Sequence, residues 1–542
     1  MIAGAIAIRL AALGGAELTV SEAERAIDAL AVSNGATPET WTGDFSASIT
    51  SYLFDIFGES EALARLPSAV GGSLLVAVLW FARPFTGKSG ALIGAALIAL
   101  SPLFVLSSRS AEPFAIGATV TVLAAFSLLA YLRDPGPVPL FSFALFAGLA
   151  TLTDAVAVSG VLALAMFVGA EGLLTRNSEI KNAWQSFRRS PLQWAIVVII
   201  AAAVIQLGLT HFGTTTDKLG LPGLTLWSEM FETPRDSRAP EFLMALLLGY
   251  DWPVLLAGVG GIAVLATRIR GLGLNSLTPL ERLLLVWVAL SATIIALTTQ
   301  REAGQLLILL VPLALLGGVL GERLLRTFDW STGMRRWPIP ALALLFTACA
   351  ALITTEWAAG NASVFQRVLI GVFAALAVTL VAAPILARTR DGAIALVTVV
   401  AILGVTFTSH SALAVAFEGG SEFARDKTLL ESREPFIDTL AVLAEDRDGP
   451  VIIEASLRDE LEWALRDTPY VFGGSLDEAS IFVGLASEAP DGFVTVAGEW
   501  LIAEEWSPQE ILKPLNMWDW MLFRKPYGDM TTIAVQIYVL TI

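Results

Sequence analysis

Apolar runs separated by short polar stretches dominate this chain from its first residues to about residue 416. Each run is close to the length that an α-helix needs to cross about 30 Å of hydrocarbon at about 1.5 Å per residue. The thirteen runs fall at 2–17, 67–82, 90–107, 113–131, 139–153, 155–172, 192–210, 241–266, 280–299, 304–321, 338–356, 363–386 and 393–416. The pattern predicts a mainly α polytopic membrane protein with about thirteen transmembrane helices. The fifth and sixth runs are separated only by Thr153 and Asp154, so we expect a tight turn there.

Composition agrees with this prediction and narrows the chemistry. Hydrophobic residues make up 55% of the 542 residues and charged residues only 15%, and the mean hydropathy is +0.69. A soluble chain carries about a quarter charged residues, so too little polar surface remains here to coat a soluble particle. The single cysteine, Cys349, excludes an intrachain disulfide and a cysteine metal cluster. Two histidines, His211 and His410, argue against a histidine-rich metal centre. We predict no cofactor and no metal ligands, and leave a divalent-metal requirement open.

Basic residues are distributed unequally between the gaps that separate the runs. With a cytoplasmic N-terminus, the cytoplasmic gaps hold sixteen Lys and Arg, and the outer gaps hold eight in a longer total sequence. Cytoplasmic loops of membrane proteins carry this excess. We therefore expect a multi-pass protein of the cell membrane whose N-terminus is cytoplasmic. The odd number of predicted spans places residues 417–542 outside.

The tail, residues 417–542, differs in composition from the transmembrane domain, residues 1–416. It holds 24 Asp and Glu against 9 Lys and Arg, so nearly all of the net charge of −16 lies there. Its sequence alternates between helical and strand-like patterns, which predicts a soluble α/β domain. Predicted helices cover 422–446 and 459–467, and predicted strands cover 450–456, 468–472, 480–486, 492–498 and 531–542. The acidity argues against binding nucleic acid or anionic lipid.

Polar residues gather at the predicted outer ends of the helices, whereas mid-membrane positions hold almost no ionisable residue besides Arg9. Ion pathways place ionisable residues in mid-membrane, so this distribution argues against a transporter. The first outer loop, residues 18–66, is long and acidic. Carboxylates and arginines from separate helices converge at one membrane face, which suits a reaction on an anionic lipid headgroup, because arginine binds phosphate and a carboxylate can accept a proton. Trp41 is typical of an interfacial belt residue.

Several segments resemble one superfamily of membrane enzymes. RLAALGGAELTVSEAERAIDALAVSNG is similar to the first helix and loop of family 39-type glycosyltransferases of the GT-C fold. FGESEALARLPSAVGGSLLVAVLWFA and ALIGAALIALSPLFVLSSRSAEPFAIG resemble the second to fourth spans of that superfamily, which includes the dolichyl-phosphate-mannose protein mannosyltransferases. RAPEFLMALLLGYDWPVLLAGVGGIAV and ELEWALRDTPYV resemble segments of a flippase-activity-associated glycosyltransferase-like branch.

The resemblance implies a GT-C-like helix bundle that transfers a sugar from a polyprenyl-phosphate carrier to an acceptor at the outer face of the membrane. In that family an acidic residue of the first outer loop acts as base or positions the acceptor hydroxyl, and arginines of the outer face hold the lipid phosphate. The expected partners are therefore a polyprenyl-phosphate-linked sugar, membrane lipid and a glycan, lipid or protein acceptor. The alternative is a catalytically degenerate relative that binds lipid-linked glycan or partners a flippase.

The candidate residues follow from the resemblance and from their place in the sequence. The usual acidic pair of the first loop aligns with Ser21 and Glu22, so the first carboxylate is replaced by serine. The predicted catalytic residues are Glu22, Glu24 and Asp44. The predicted phosphate ligands are Arg109, Arg301 and Arg238, and the additional candidates are Glu112, Asp154 and Glu302. Glu22 also has a structural interpretation as a charge at a helix start, where Ser21 can cap the helix and Glu24 lies three residues on, as in a capping box.

Overall fold

The computed structural model describes residues 2–38, 40–172, 178–213, 221–232, 241–327 and 390–417, and most of the tail. The described tail residues are 428–429, 433–447, 450–466, 470–476, 479–485, 489–496, 498–506, 520 and 530–540. Between 327 and 390 it describes only 341–342, 345–347, 368–369, 372–373 and 376. The predicted spans at 338–356 and 363–386 therefore lie largely outside the described residues.

Helices form most of the first 417 residues. They are α1 (Ile2–Leu10), α2 (Val20–Ser33), α3 (Phe45–Phe57), α4 (Glu61–Val78), α5 (Arg83–Thr86), α6 (Lys88–Leu100), α7 (Pro102–Ser108), α8 (Phe114–Arg133) and α9 (Pro137–Ala150). They continue with α10 (Ala155–Ala170), α11 (Ser178–Arg189), α12 (Pro191–Leu209), α13 (Pro222–Glu229), α14 (Phe242–Tyr250), α15 (Trp252–Leu272), α16 (Pro279–Leu297), α17 (Leu307–Thr327) and α18 (Arg390–Phe417).

Seven of the described helices are long and apolar enough to cross a membrane, or eight if the bent pair α6–α7 counts as one span. Two shorter apolar helices, α9 and α10, add to them. The protein is thus a multi-pass membrane protein, as predicted, and the count of thirteen spans stays a prediction. Besides the run 90–107, which is bent, two runs differ from their expected form. The first helix ends at Leu10 instead of residue 17, and Asp251 divides the run 241–266 into α14 and α15.

The run 90–107 is broken at Ser101, where α6 and α7 meet at an angle of 65°. Pro102 follows the break and has no N–H to continue the helical ladder. Two buried charged residues bind the freed backbone groups. Arg9 donates to the carbonyls of Ile98 and Ala99 at 3.2 and 3.3 Å, and Asp251 accepts from the Ser101 hydroxyl at 3.0 Å. Asp251 also accepts from the first free N–H of α7. A cation therefore lies at the carboxyl end of one half-helix and a carboxylate at the amino end of the other, as helix dipoles favour. Arg9, the one ionisable residue expected in mid-membrane, therefore stabilises the break between α6 and α7.

The tail forms a mixed sheet of seven strands packed against helices. Its elements are β1 (Thr428–Leu429), α19 (Arg433–Asp446), β2 (Val451–Ile453), α20 (Arg458–Leu461), β3 (Tyr470–Phe472), β4 (Ile481–Leu485), β5 (Phe493–Thr495), β6 (Trp500–Trp506) and β7 (Met530–Leu540). The strand order is β1-β6-β7-β4-β2-β3, with β5 also on β7. The predicted α/β class and the five predicted strands are confirmed, whereas β1 and β6 were not predicted, and β1 lies within the predicted helix 422–446. The first tail helix is shorter than the predicted 422–446.

The tail and the first loop share one hydrophobic core. Leu18, Val20 and Ala23 of the loop belong to the same buried cluster as Phe436 and Trp463 of the tail. The Trp463 indole also donates to the Glu61 carboxylate at 3.1 Å. The tail is therefore fixed over the loop-bearing end of the helix bundle, and residues of the two parts can build one site. The boundary at residue 417 between a transmembrane and a soluble domain stays a prediction.

Candidate functional site

A cavity of about 550 Å³ lies where the first loop and the tail meet the helix bundle. The bundle contributes the starts of α8 and α10, the end of α13 and the turn before α17. It is lined by Ser21, Glu24, Arg25, Ile27, Asp28, Thr40, Trp41, Thr42, Ala47, Glu112, Pro113, Phe114, Asp154, Ala155, Leu226, Glu229, Met230, Gln300, Glu302, Gln305, Arg458, Asp459 and Glu462. Its volume lies within the range of small-molecule sites. It is the site where the polar residues of separate helices, predicted to converge at one membrane face, come together.

Capped helix starts place the loop side chains around this cavity. Thr19 and Glu22 form a capping box at the start of α2, so the next turn of α2 presents Glu24 and Arg25 to the cavity. Asp44 caps α3, and its Oδ1 accepts from the N–H groups of Ser46 and Ala47. Both caps are encoded locally by the sequence, and together they fix the two loop helices against each other.

Arg25 and Asp44 form an ion pair at the wall of the cavity. An Arg25 Nη2 to Asp44 Oδ2 distance of 2.5 Å joins them, and Asp44 is fully buried. Burial alone lowers the pKa of Arg25, but the charges of Asp44, Glu112 and Glu302 outweigh burial and raise it. Arg25 therefore stays a cation, and Asp44 has both oxygens committed, since Oδ2 also accepts from Thr42.

Asp154 supplies a carboxylate oxygen that no described group binds. It caps α10 through Oδ1, which accepts from the Ala157 N–H at 2.7 Å. Its Oδ2 is buried and has no hydrogen-bond partner among the described residues. Burial raises the pKa of Asp154 well above its usual range, and Asp44 raises it further, against the opposing effects of the Ala157 N–H and Arg25. The side chain is 1% exposed, so the cavity is the space into which this oxygen can bind a ligand.

Three further lining residues have a buried polar atom without a partner in the described part of the chain. They are Trp41 through Nε1, Gln305 through Oε1 and Arg25 through Nε. Buried polar groups in proteins are nearly always hydrogen-bonded, so a concentration of unbonded atoms at one cavity indicates a polar ligand. Trp41 was expected in an interfacial belt. That expectation was wrong, because Trp41 is 3% exposed and lines the cavity.

Glu22, the first choice for the base, lies outside the cavity lining in a buried ion pair. Its carboxylate accepts from Arg65 at 2.8 and 2.9 Å and from the N–H groups of Thr19 and Ala111, each at 2.9 Å. Burial raises its pKa, but Arg65 and these N–H groups outweigh burial and lower it. With every oxygen bound, Glu22 joins α2, α4 and the turn after α7. The geometry thus favours the structural interpretation.

Of the predicted phosphate ligands, Arg109 lies away from the cavity lining. Arg109 donates to the carbonyls of Ile8, Arg9, Ala11 and Ala12, and its guanidinium lies 5.2 Å from the ring centre of Phe417. It thus caps the carboxyl end of α1 and is not a lining residue. Arg301 lies in the turn between two lining residues, Gln300 and Glu302. Arg238 lies outside the described residues.

The other predicted residues fall into two groups. Glu24, Glu112, Asp154 and Glu302 all line the cavity. Asp44 lies behind Arg25, which it binds. Arg25 and three tail residues, Arg458, Asp459 and Glu462, also line the cavity but were not among the predicted site residues. Arg25 is adjacent in sequence to the predicted residue Glu24, and this adjacency could have identified it. The three tail residues reach the cavity only because α20 packs against α2, which the sequence does not reveal. No group of three or more potential metal ligands occurs among the described residues.

Comparisons with known proteins agree with this architecture. Residues 45–206 match a family model described as dolichyl-phosphate-mannose-protein mannosyltransferase. ArnT from Cupriavidus metallidurans bound to undecaprenyl phosphate is similar in structure, with a TM-score of 0.58 and 16% identity, over 95% of this chain and 98% of that one. The archaeal oligosaccharyltransferase AglB from Archaeoglobus fulgidus, in complex with an inhibitory peptide and a dolichol-phosphate, is also similar in structure. Its TM-score is 0.51 and its sequence identity 15%, over 88% of this chain and 64% of that one. No curated protein matches the sequence. The predicted resemblance to GT-C glycosyltransferases and the GT-C fold are thereby confirmed.

Proposed function

We propose that this chain is a membrane glycosyltransferase that moves a sugar from a polyprenyl-phosphate carrier to an acceptor at the outer face of the membrane. The observation that carries the proposal is the cavity where the first loop, the helix termini and the tail meet, with the unbonded Asp154 oxygen in its wall. The GT-C fold and the mannosyltransferase-like segment support the reaction class. Undecaprenyl phosphate on ArnT and dolichol-phosphate on AglB support the carrier class.

Asp154 is our candidate for the base. Glu22 and Asp44 have both oxygens bound by protein groups, so neither can accept a proton without breaking its bonds. Asp154 Oδ2 has no such bond among the described residues. A base is most effective when its pKa lies near the working pH, and burial moves the pKa of Asp154 in that direction. Glu24, which also lines the cavity, is the second candidate.

The proposed step is a displacement at the anomeric carbon of the donor sugar. An acceptor hydroxyl oxygen forms the new bond to that carbon, and the bond from the carbon to the phosphate oxygen breaks. Asp154 takes the hydroxyl proton, and the polyprenyl phosphate leaves with the bonding electron pair. Arginine stabilises the departing phosphate oxygen by forked hydrogen bonds. We assign this role to Arg301, which lies between the lining residues Gln300 and Glu302 in sequence, and to Arg25, which lines the cavity.

Turnover should depend on pH through Asp154. The base acts only when deprotonated, so turnover should fall as the pH falls through the raised pKa of Asp154. The lower limb should therefore lie above the usual aspartate range near about 3.9. The measurement is the rate of loss of label from a radiolabelled polyprenyl-phosphate sugar in native membranes across pH. Glu24→Gln is the control and should keep the limb in place; a limb that disappears with Glu24→Gln would assign the base to Glu24.

Gly117 offers an independent test of the position of the Asp154 carboxylate. A Cβ atom on Gly117 would lie 2.0 Å from Asp154 Oδ1, so Gly117→Ala must displace the carboxylate. We expect at least about a tenfold loss of donor turnover, because misplacement by about 1 Å can cost about a hundredfold. Gly169→Ala, where a Cβ would meet nothing within 4 Å, is the matched control. Full turnover by Gly117→Ala protein would remove Asp154 from the mechanism.

The experiment that tests the proposal as a whole uses native membranes from cells that express or lack the chain. Polyprenyl-phosphate donors with radiolabelled hexose or pentose are added, and label in glycan, lipid and protein fractions is followed. Transfer that depends on the chain supports the proposal. Binding of a donor without loss of its label would instead support the degenerate relative that only holds lipid-linked glycan.

A further inference from the structure

The charges that line the cavity are unequal, and this bears on the acceptor. Among the described residues that line the cavity, eight are acidic and two are basic. The acidic ones are Glu24, Asp28, Glu112, Asp154, Glu229, Glu302, Asp459 and Glu462, and the basic ones are Arg25 and Arg458. A cleft lined by one sign of charge focuses its field and concentrates ligands of the opposite sign.

Both arginines already have a carboxylate partner. Arg25 pairs with the buried Asp44 at 2.5 Å, and Arg458 lies 3.8 Å from Glu462 and 5.3 Å from the ring centre of Phe472. Each pairing reduces the positive charge that these arginines present to the cavity.

The acidic residues come from both parts of the molecule and act on one another. Asp28 of the first loop and Asp459 of the tail both raise the pKa of Glu462, on top of burial and against Arg458. Glu232 raises the pKa of Glu229 in the same way, after burial. Carboxylates of the loop and of the tail thus contribute to one electrostatic field in the cavity, because the tail packs over the loop.

The unbonded atoms add a second, independent observation. The Trp41 and Arg25 N–H groups can donate, and the Asp154 and Gln305 oxygens can accept. Hydroxyl groups match such a mixed set because each hydroxyl both donates and accepts. An ammonium group matches the surrounding carboxylates.

We propose that the cavity takes an acceptor of the amino-sugar class, with a positive ammonium group near its accepting hydroxyl, and excludes acceptors that carry phosphate or carboxylate there. That the bound molecule is an acceptor of a sugar rests on the proposed function. The donor brings a negatively charged phosphate into a cavity that is already acidic. A cationic acceptor compensates the charge of the phosphate and that of the lining carboxylates.

The direct test measures the sign of the cavity field and needs no transfer activity. In a Cys349→Ala background, Ser21→Cys places a thiol at the cavity wall, and Thr495→Cys places one at an exposed position of β5. Each full-length variant reacts with a cationic and an anionic methanethiosulfonate of similar size. We expect the cationic-to-anionic rate ratio to be at least about tenfold higher at the Ser21 position than at the Thr495 position, and to fall as ionic strength rises.

A neutralised variant provides the second arm. Combining Asp28→Asn, Asp459→Asn and Glu462→Gln with Ser21→Cys should bring the ratio close to the Thr495 value, with unchanged elution in size-exclusion chromatography as the check on folding. Equal ratios at the two positions, or a Ser21→Cys thiol that neither reagent reaches, would overturn the proposal.

Competition identifies the acceptor class once donor turnover is measured. Methyl glucosaminide should lower transfer of donor label to the endogenous acceptor more strongly than methyl N-acetylglucosaminide does, because it takes the sugar itself, and glucose 6-phosphate should have the weakest effect. Stronger inhibition by the phosphate would contradict the inference and leave the transferase proposal intact. Absence of any donor turnover, with a cationic preference in the thiol assay, would contradict the transferase proposal alone.

Discussion

Replacement of Asp154 by Asn should lower turnover of a polyprenyl-phosphate sugar by at least about 100-fold. A positioned general base contributes about 10² to 10⁴ in rate, and Asn retains the size of the side chain without its basicity. Asn can also cap the start of α10, so we expect little change in stability. The measurement is the initial rate of label loss from the donor in native membranes, at equal amounts of folded protein.

Asp44→Asn is the informative comparison for Asp154→Asn. Asp44 binds Arg25 but has no free oxygen, so we expect its replacement to weaken donor binding more than the maximal rate. Wild-type turnover by Asp154→Asn protein, with loss of turnover in Asp44→Asn or Glu24→Gln, would transfer the role of base to the first loop, where the sequence analysis placed it.

Replacement of Arg65 by Met should destabilise the folded protein by about 3–5 kcal/mol. The change leaves the Glu22 carboxylate buried without its cation, which is the costly way to break a buried pair. It also removes donors to the carbonyls of Leu13, Ala16 and Glu17. The stability of detergent-solubilised protein against denaturant is the measurement.

Two comparisons isolate the buried charge in the Arg65 experiment. The double variant Glu22→Gln with Arg65→Met should be less destabilised than Arg65→Met alone, because no charge is left buried. Arg326→Met breaks the exposed pair with Glu322 and should cost no more than about 1 kcal/mol. If Arg65→Met costs no more than Arg326→Met, Glu22 does not depend on Arg65 and our structural assignment of Glu22 fails.

The same pair gives a pH dependence of stability. The pKa of Glu22 is lowered in the folded protein, so its stabilising contribution is present above the ordinary glutamate pKa of about 4.3 and is lost as the pH falls through the lowered value. Glu22→Gln should remove that part of the acid sensitivity.

Local sequence patterns predicted the elements well because their causes are local. Apolar runs predicted membrane helices, and alternation predicted the strands β2 to β5 and β7. A capped start of α2 was also predicted, but with Ser21 and Glu24, whereas Thr19 and Glu22 form the capping box. The break at Ser101 was missed, because its stability depends on Arg9 and Asp251, which are distant in sequence. β6 was missed because its Glu504 and Glu505 weaken the apolar pattern.

The site was harder to predict than the fold, because the charge of a residue does not show whether it binds a ligand or stabilises the fold. Glu22 and Asp154 are both carboxylates at helix starts, yet Arg65 binds the first and no described group binds the free oxygen of the second. Arg109 likewise reaches backbone carbonyls of α1 instead of the cavity. These differences depend on partners between about 40 and 100 positions away, which one sequence does not reveal.

The most direct measurement of the central claim is a cryo-electron microscopy map of the full chain in nanodiscs with undecaprenyl phosphate. We predict phosphate density in the cavity lined by Arg25, Asp154 and Gln305, within hydrogen-bonding distance of Arg25 or Arg301, with the prenyl chain running between helices into the lipid. Phosphate density only at other surfaces, with this cavity unchanged by the lipid, would contradict it.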